Sequence, residues 1–379
     1  MSFIPLTAYV DSLPPDFEAT EKRLVAEMEA IMRSKTRTEG GGRAIRGAHA
    51  ESHGIVRARL EILGDLPRAY AQGIFARPRG YDAVVRYSNG VAHIRADRLL
   101  GPICGLGLKL FGVRGPSTLD EDDDAQTMDL VFFNTPTFFA NTAHDYLTIQ
   151  RLIETLPDAM STPLLRNHFL QELLTSGGTA ELENWLWDEL LSFLSILDLG
   201  RQNLYLYTYW SVGAFRHGDY IAKLRVRPTE ATAAAVVHRE VNTVQDDEPF
   251  RDTLVAETGE RAHEFVLEAQ LCTDLTRMPV ENASVEWPVS ESPFVPVARL
   301  SIPQQDISAA TNLEAADATA INPWRTREKH VPLGEINRVR RDIYTRSAAL
   351  RRKINHQPVR EPAHPCDVLR WRGPSAPPG

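Results

Sequence analysis

Near the end of the chain, Arg340, Tyr344 and Arg351 stand at i, i+4 and i+11 within the segment PLGEINRVRRDIYTRSAALRRKIN. Those offsets share one face of an α-helix, so the phenol would lie beside a guanidinium one turn away. The positive charge stabilises a phenolate. A phenolate oxygen is a competent axial ligand for ferric iron, heme iron included. Arg351, further along the same face, can grip a carboxylate through two N–H donors. The plainer reading is an arginine-rich amphipathic helix with one tyrosine on its inner side.

A second group lies early in the chain, where residues 46–54 read RGAHAESHG. A histidine placed over such an iron can take a proton from a bound peroxide and return it to the leaving oxygen. His49 and His53 are both candidates, and Arg46 is a candidate for binding an anionic group. The plainer reading is a surface turn with two exposed histidines. A third group, Arg86-Tyr87-Ser88, adds another cation and a hydroxyl within a strand-like stretch.

These residues need a frame. Segments 55–63, 83–88, 105–113, 128–133, 220–226, 265–271 and 295–302 alternate or are β-branched, and Gly, Pro or Asp bound each of them, as in short antiparallel strands. Residues 18–33 predict an amphipathic helix with Leu24, Met28 and Ile31 on one side. Residues 143–198 are mostly helical in pattern, 231–241 and 250–257 predict short helices, and 333–354 predicts the last strong one, with Ile336, Val339, Ile343 and Leu350 inward. Strands split by a helical insertion and closed by a helix give an α+β chain, and an antiparallel barrel with outer helices is one solution. The expected division is an N-terminal helical arm with a flexible segment over 1–45, a barrel over 46–356 with the insertion at about 143–198, and a proline-rich tail over 357–379. That tail is expected to wrap the surface or fray. The acidic run 120–124 reads as a solvated hairpin loop.

The totals exclude some classes. A length of 379 residues allows one to three domains. A net charge of −8 argues against general nucleic-acid binding and against attraction to an anionic membrane. Cys104, Cys272 and Cys366 are scattered and odd in number, which fits a reducing compartment without a disulfide framework, zinc site or iron–sulfur site. There is no signal-peptide pattern and no apolar run of transmembrane length, so the expected location is the cytoplasm. No G-x-G-x-x-G follows a strand, so no dinucleotide site is read.

Taken in order, the motifs resemble those of the catalase superfamily, and more closely its small catalase-related bacterial branch. The resemblance runs from about Arg46 to Asn355. It is carried by Arg46 and His49 entering a strand, by Arg86-Tyr87-Ser88, and by GPICGLGLKL over 101–110. It continues through the Asp-Leu-Val segment with Asn-Thr-Pro and two phenylalanines over 129–139, and TYWSVGAFRHGDY over 208–220. It ends with Arg340, Tyr344 and Arg351. The family places an asparagine two residues before its Thr-Pro pair; here Phe133 stands there and Asn134 directly precedes Thr135. The family's proximal helix carries a histidine four residues after the tyrosine; here it is Ala348.

The resemblance implies a catalase-like antiparallel β-barrel with surrounding helices, a proximal heme-binding helix and heme b as cofactor. Tyr344 would be the iron ligand. His49, favoured over His53 by its spacing from Arg46, would act with Ser88 and Asn134 in catalysis, and Arg46, Arg86, Arg340 and Arg351 would hold the cofactor. The implied activity is a heme-dependent hydroperoxidase acting on hydrogen peroxide or organic hydroperoxides, with the electron donor and a homo-oligomeric state left open. Alternatives are a fatty-acid hydroperoxide isomerase of the allene oxide synthase kind, a peroxide-driven fatty-acid oxidase or decarboxylase, and a non-catalytic heme or lipid carrier.

Overall fold

A computed structural model describes residues 2–9, 13–91, 93–94, 96–97, 101–119, 125–159, 162–242, 246–357 and 360–369. The acidic run 120–124 and the last part of the proline-rich tail lie outside these residues.

The strands are β1 (Ser52–Ile62), β2 (Gly80–Asn89), β3 (Cys104–Phe111), β4 (Thr127–Phe133), β5 (Tyr209–Trp210), β6 (Phe215–His217), β7 (Tyr220–Pro228), β8 (His263–Leu271) and β9 (Val295–Ile302). They form one antiparallel sheet in the order β5-β4-β3-β2-β1-β9-β8-β7-β6. The short β5 closes it, because Trp210 pairs with Phe133 on β4 and with Arg225 on β7. The result is an eight-stranded barrel with β6 attached to β7 as a hairpin. All seven expected strands form. β5 and β6 were not expected, since two and three residues leave no alternation to read.

A barrel of this strand number is just wide enough to be filled by its own side chains. Val85, Tyr87, Leu106, Leu108, Leu130, Phe132, Tyr205, Tyr209, Phe265 and Leu300 do so. Strand side chains alternate between faces, so on β2, β3 and β4 the intervening residues Arg86, Ser88, Gly105, Gly107, Val131 and Phe133 belong to the outer face. Helices cover that face, so it is not bathed in solvent. Further along it, Lys109 is fully buried, 2.8 Å from Asp129, and also paired with Glu361.

The helices are α1 (Phe17–Thr38), α2 (Ala143–Ala159), α3 (Pro163–Leu174), α4 (Trp187–Leu197), α5 (Glu230–Ala235), α6 (Pro249–Glu260), α7 (Ala310–Ala318), α8 (Glu335–Ile354) and α9 (Pro365–Val368). On α8, Ile336, Val339 and Leu350 are buried and Ile343 is partly so, as the helical spacing requires. Val339 packs with Leu24 of α1, and Leu350 with Met28 and Met32. The inward position on α1 is therefore Met32 where Ile31 was expected. The expected helix over 231–241 stops at Ala235, because the Glu257 carboxylate captures the backbone N–H groups of Val237 and His238 at 2.6 and 2.7 Å. Helix α7 is unexpected; ATNLEAADA carries little amphipathic pattern. The start of the tail wraps rather than frays: Glu361 forms an ion pair with Arg325 at 3.2 Å, and Arg57 donates to the Leu369 carbonyl at 2.9 Å.

Candidate functional site

Between α8 and the outer face of β2–β4 lies a cavity of about 960 Å³. Arg46, His49, Arg86, Ser88, Arg340, Tyr344 and Arg351, which are far apart in sequence, all line it. Its size is at the upper end of ordinary ligand pockets, roughly 300–1,000 Å³.

His49 enters the cavity just before β1 with a backbone φ of 54°, a left-handed conformation uncommon for a residue with a side chain. Two contacts hold it there. Nδ1 lies 2.5 Å from the Asn89 carbonyl oxygen and 3.2 Å from Ser88 Oγ. A carbonyl can only accept, so Nδ1 carries the proton and Nε2 is the free acceptor. Gly105 makes this placement possible, since a Cβ there would sit 2.5 Å from Nδ1. Burial first, then the charge of Arg86, pulls the His49 pKa down to about 3; the bond to Asn89 only partly opposes this. The imidazole is neutral at physiological pH. The phenyl ring of Phe133 packs against it, with centroids 4.9 Å apart.

Tyr344 projects from α8 into the same cavity. Arg340, one turn earlier, donates from Nη2 to its phenolic oxygen at 3.3 Å and from Nη1 to Asn337 Oδ1 at 3.0 Å. Asn337 in turn donates to the carbonyls of Ala214 and Leu333, which fixes the guanidinium from behind.

Arg46, Arg86 and Arg351 converge on the C-terminal end of α7, where helix carbonyls are unpaired and the dipole is negative. Arg46 donates to the carbonyls of Ala316 and Thr319, Arg86 to that of Ala316, and Arg351 to that of Asp317. The Asp317 carboxylate lies 3.6 Å from Arg46. Burial lowers the pKa of all three guanidiniums. Arg46 further lowers Arg86, and Arg46 and Arg86 further lower Arg351, while Asp317 acts in the opposite sense on each. Three cations around one carboxylate, Arg86 and Arg351 of them buried, favour an anion, and Arg351 Nε is buried without a hydrogen-bond partner.

Two sequence candidates are not brought to the cavity. His53 is buried against Phe250, with ring centroids 5.4 Å apart, and is not among the lining residues. Asn134 is also absent from the lining: its Oδ1 accepts from the Cys104 N–H at 2.8 Å and its Nδ2 donates to the Pro102 carbonyl at 2.9 Å. The one-residue offset before Thr135 turns this amide onto backbone, and Phe133 takes the place facing His49. A distal amide at Asn134 is therefore corrected to a structural clamp. Ala348 lines the cavity without any polar group.

Sequence reading missed Asn89, Asp317 and Phe193. Asn89 acts through its carbonyl, which no residue type reveals. Gly105 and Gly107, two apart on one strand face, were a visible sign of close approach.

The residues fit a ferric heme: a phenol backed by a guanidinium for the iron, clustered arginines with an unpartnered donor for propionates, and a free imidazole nitrogen in the same cavity. Among the described residues there is no cluster of His, Cys, Asp and Glu that would hold a bare metal ion, and no helix is long and apolar enough to cross a membrane.

The architecture is the catalase-like fold. A fungal catalase matches with a TM-score of 0.55 at 14% identity, over 93% of this chain and 65% of that one. Catalase A from Saccharomyces cerevisiae matches with 0.54 at 13% identity, over 93% and 67%. A bacterial catalase matches with 0.53 at 14% identity, over 95% and 66%. The chain thus spans about two-thirds of the length of these proteins. No protein-family model and no curated protein matches it.

Proposed function

We propose that the protein is a heme-dependent hydroperoxidase, with Tyr344 as the iron ligand. The observation that carries this reading is the convergence of Tyr344, His49 and the arginine cluster on one cavity. Bound there, heme would supply the redox centre at which the O–O bond breaks.

The chain's own residues would do the following. Arg340 donates to the phenolic oxygen and holds it as a ligand. Arg46, Arg86 and Arg351 orient the propionates. His49 Nε2 takes the proton from the peroxide's terminal oxygen and returns it to the oxygen that departs, while the bond from Nδ1 to Asn89 keeps the ring in the productive tautomer. Ser88 Oγ steadies the same ring edge. Overall a hydroperoxide takes two electrons and two protons and yields an alcohol and water, the electrons coming from an external donor. The His49 ring needs no deprotonation to begin, since it is already neutral.

Steady-state turnover of hemin-loaded protein with hydrogen peroxide and cumene hydroperoxide tests this. Turnover of at least one, lost in His49→Ala, is expected; a heme-loaded protein inert to both would instead be a carrier.

A further inference from the structure

The cavity continues past Phe133 into an apolar annex. Its walls include Ile103, Phe138, Phe139, Phe193, Ile196 and Ala283. We propose that this annex binds the hydrocarbon chain of the substrate, so that the preferred oxidant is a long-chain organic hydroperoxide rather than hydrogen peroxide. The inference rests on the hydroperoxidase reading for its chemistry, though not for its binding site.

The aromatic surface is continuous from the imidazole outward. Phe133 meets His49 at 4.9 Å and Phe138 at 5.8 Å; Phe138 stacks on Phe139 at 4.5 Å, and Phe139 meets Phe193 edge-on at 6.2 Å. A hydroperoxide group near His49 would therefore have its substituent against phenyl rings. Hydrogen peroxide has no apolar surface to use there. Nor does it find an amide beside His49, because both ends of Asn134 are engaged with backbone. Each methylene moved from water into such an annex should tighten binding about fourfold.

The helical insertion supplies part of the annex wall, through Phe193 and Ile196. Helix α4 turns Phe193 and Ile196 inward. Its outer side carries Trp187, Leu191 and Leu194, each at least 40% exposed. These exposed apolar residues, interspersed with the exposed Asp188 and Ser195, give the annex a boundary that an apolar chain can approach.

Ala283 offers a way to fill the annex from one wall. Its backbone N–H is bound by Asn141 at 2.6 Å and its carbonyl by Phe138 at 3.0 Å, so a larger side chain leaves the loop's hydrogen bonds in place. The test titrates the purified full-length chain with 1-hexanol, 1-octanol and 1-decanol by calorimetry, before and after hemin addition. It then compares kcat/KM for a ten-carbon alkyl hydroperoxide and for hydrogen peroxide. Affinity should rise with chain length, and Ala283→Leu should weaken decanol by about tenfold or more, the loss of roughly two methylenes. The same variant should lower the ratio of the two kcat/KM values by a similar factor. Ile196→Phe, a second filling variant, guards against misfolding of the first. Equal affinity across the three alcohols, or decanol binding indifferent to both folded variants, would overturn the proposal. Alcohol binding in a chain that never takes up hemin would uphold the annex and reject the hydroperoxidase reading; hemin uptake with peroxide turnover but no chain-length dependence would do the reverse.

Discussion

Arg340 Nη2 and Tyr344 Oη lie 3.3 Å apart on adjacent turns of α8, with the guanidinium carbon 5.3 Å from the ring centroid. The arginine thus meets the phenol through its oxygen, and its other nitrogen is tied to Asn337. Removing the charge while keeping a donor should weaken the oxygen as an iron ligand. Arg340→Gln is expected to lower hemin affinity by about tenfold, the usual worth of one charge-assisted hydrogen bond. Competition of hemin between the protein and an apomyoglobin scavenger measures this. Equal retention by the variant would mean that the pair is only structural.

His49 is distinguished from His53 by position. His49→Ala should leave hemin binding intact and slow reaction with peroxide by about 10²–10⁴-fold, the usual contribution of a general acid–base group. His53→Gln, at a site away from the cavity, should leave that rate within about twofold while altering thermal stability. Stopped-flow mixing with peroxide reads both variants, and a large loss in His53→Gln alone would reverse the assignment.

Asn134 offers a contrasting case. With its amide spent on the Cys104 N–H and the Pro102 carbonyl, Asn134→Ala leaves two buried backbone groups unpaired. A loss of about 2 kcal/mol in unfolding free energy is expected, with peroxide turnover per folded, heme-loaded molecule unchanged. Urea denaturation together with turnover checks this. A variant of normal stability and lost turnover would restore the amide to catalysis.

Burial holds His330 neutral, with its pKa lowered from the ordinary 6.5 to about 3, and its Nε2 accepts the Ile74 N–H at 2.9 Å. The unfolded chain takes up a proton below about pH 6.5 that the folded chain refuses. Stability therefore falls as pH drops from about 6.5 toward 3. His53 and His49 act in the same direction. His330→Gln keeps an acceptor and removes the titration. Its stability should fall less steeply between pH 6.5 and 4.5, by up to about 1.4 kcal/mol per pH unit. Urea midpoints at the two pH values give the slope, and parallel slopes would contradict the linkage.

The long strands and α8 were legible because their periodicity survives over many residues, and on α8 the same pattern that buries Ile336 and Val339 aims Arg340 and Tyr344 together. The closing strand β5 was not, since Tyr209 and Trp210 are placed by their partners on β4 and β7 and not by local pattern. The site was legible where a residue acts through its side chain at fixed spacing, as with Tyr344 and His49. It was not legible where a backbone atom does the work, as with the Asn89 carbonyl and the carbonyls at the end of α7. Asn134 misled for a related reason: sequence places the amide within one residue of the cavity, but strand alternation decides which of two neighbours faces it, and that neighbour is Phe133.

The most direct measurement is the absorption spectrum of the purified chain after hemin reconstitution, beside that of Tyr344→Phe. Phenolate ligation predicts a stable ferric Soret band in the first, and a lost or strongly shifted one in the second. Identical spectra, or no stoichiometric hemin uptake by the unaltered chain, would contradict it.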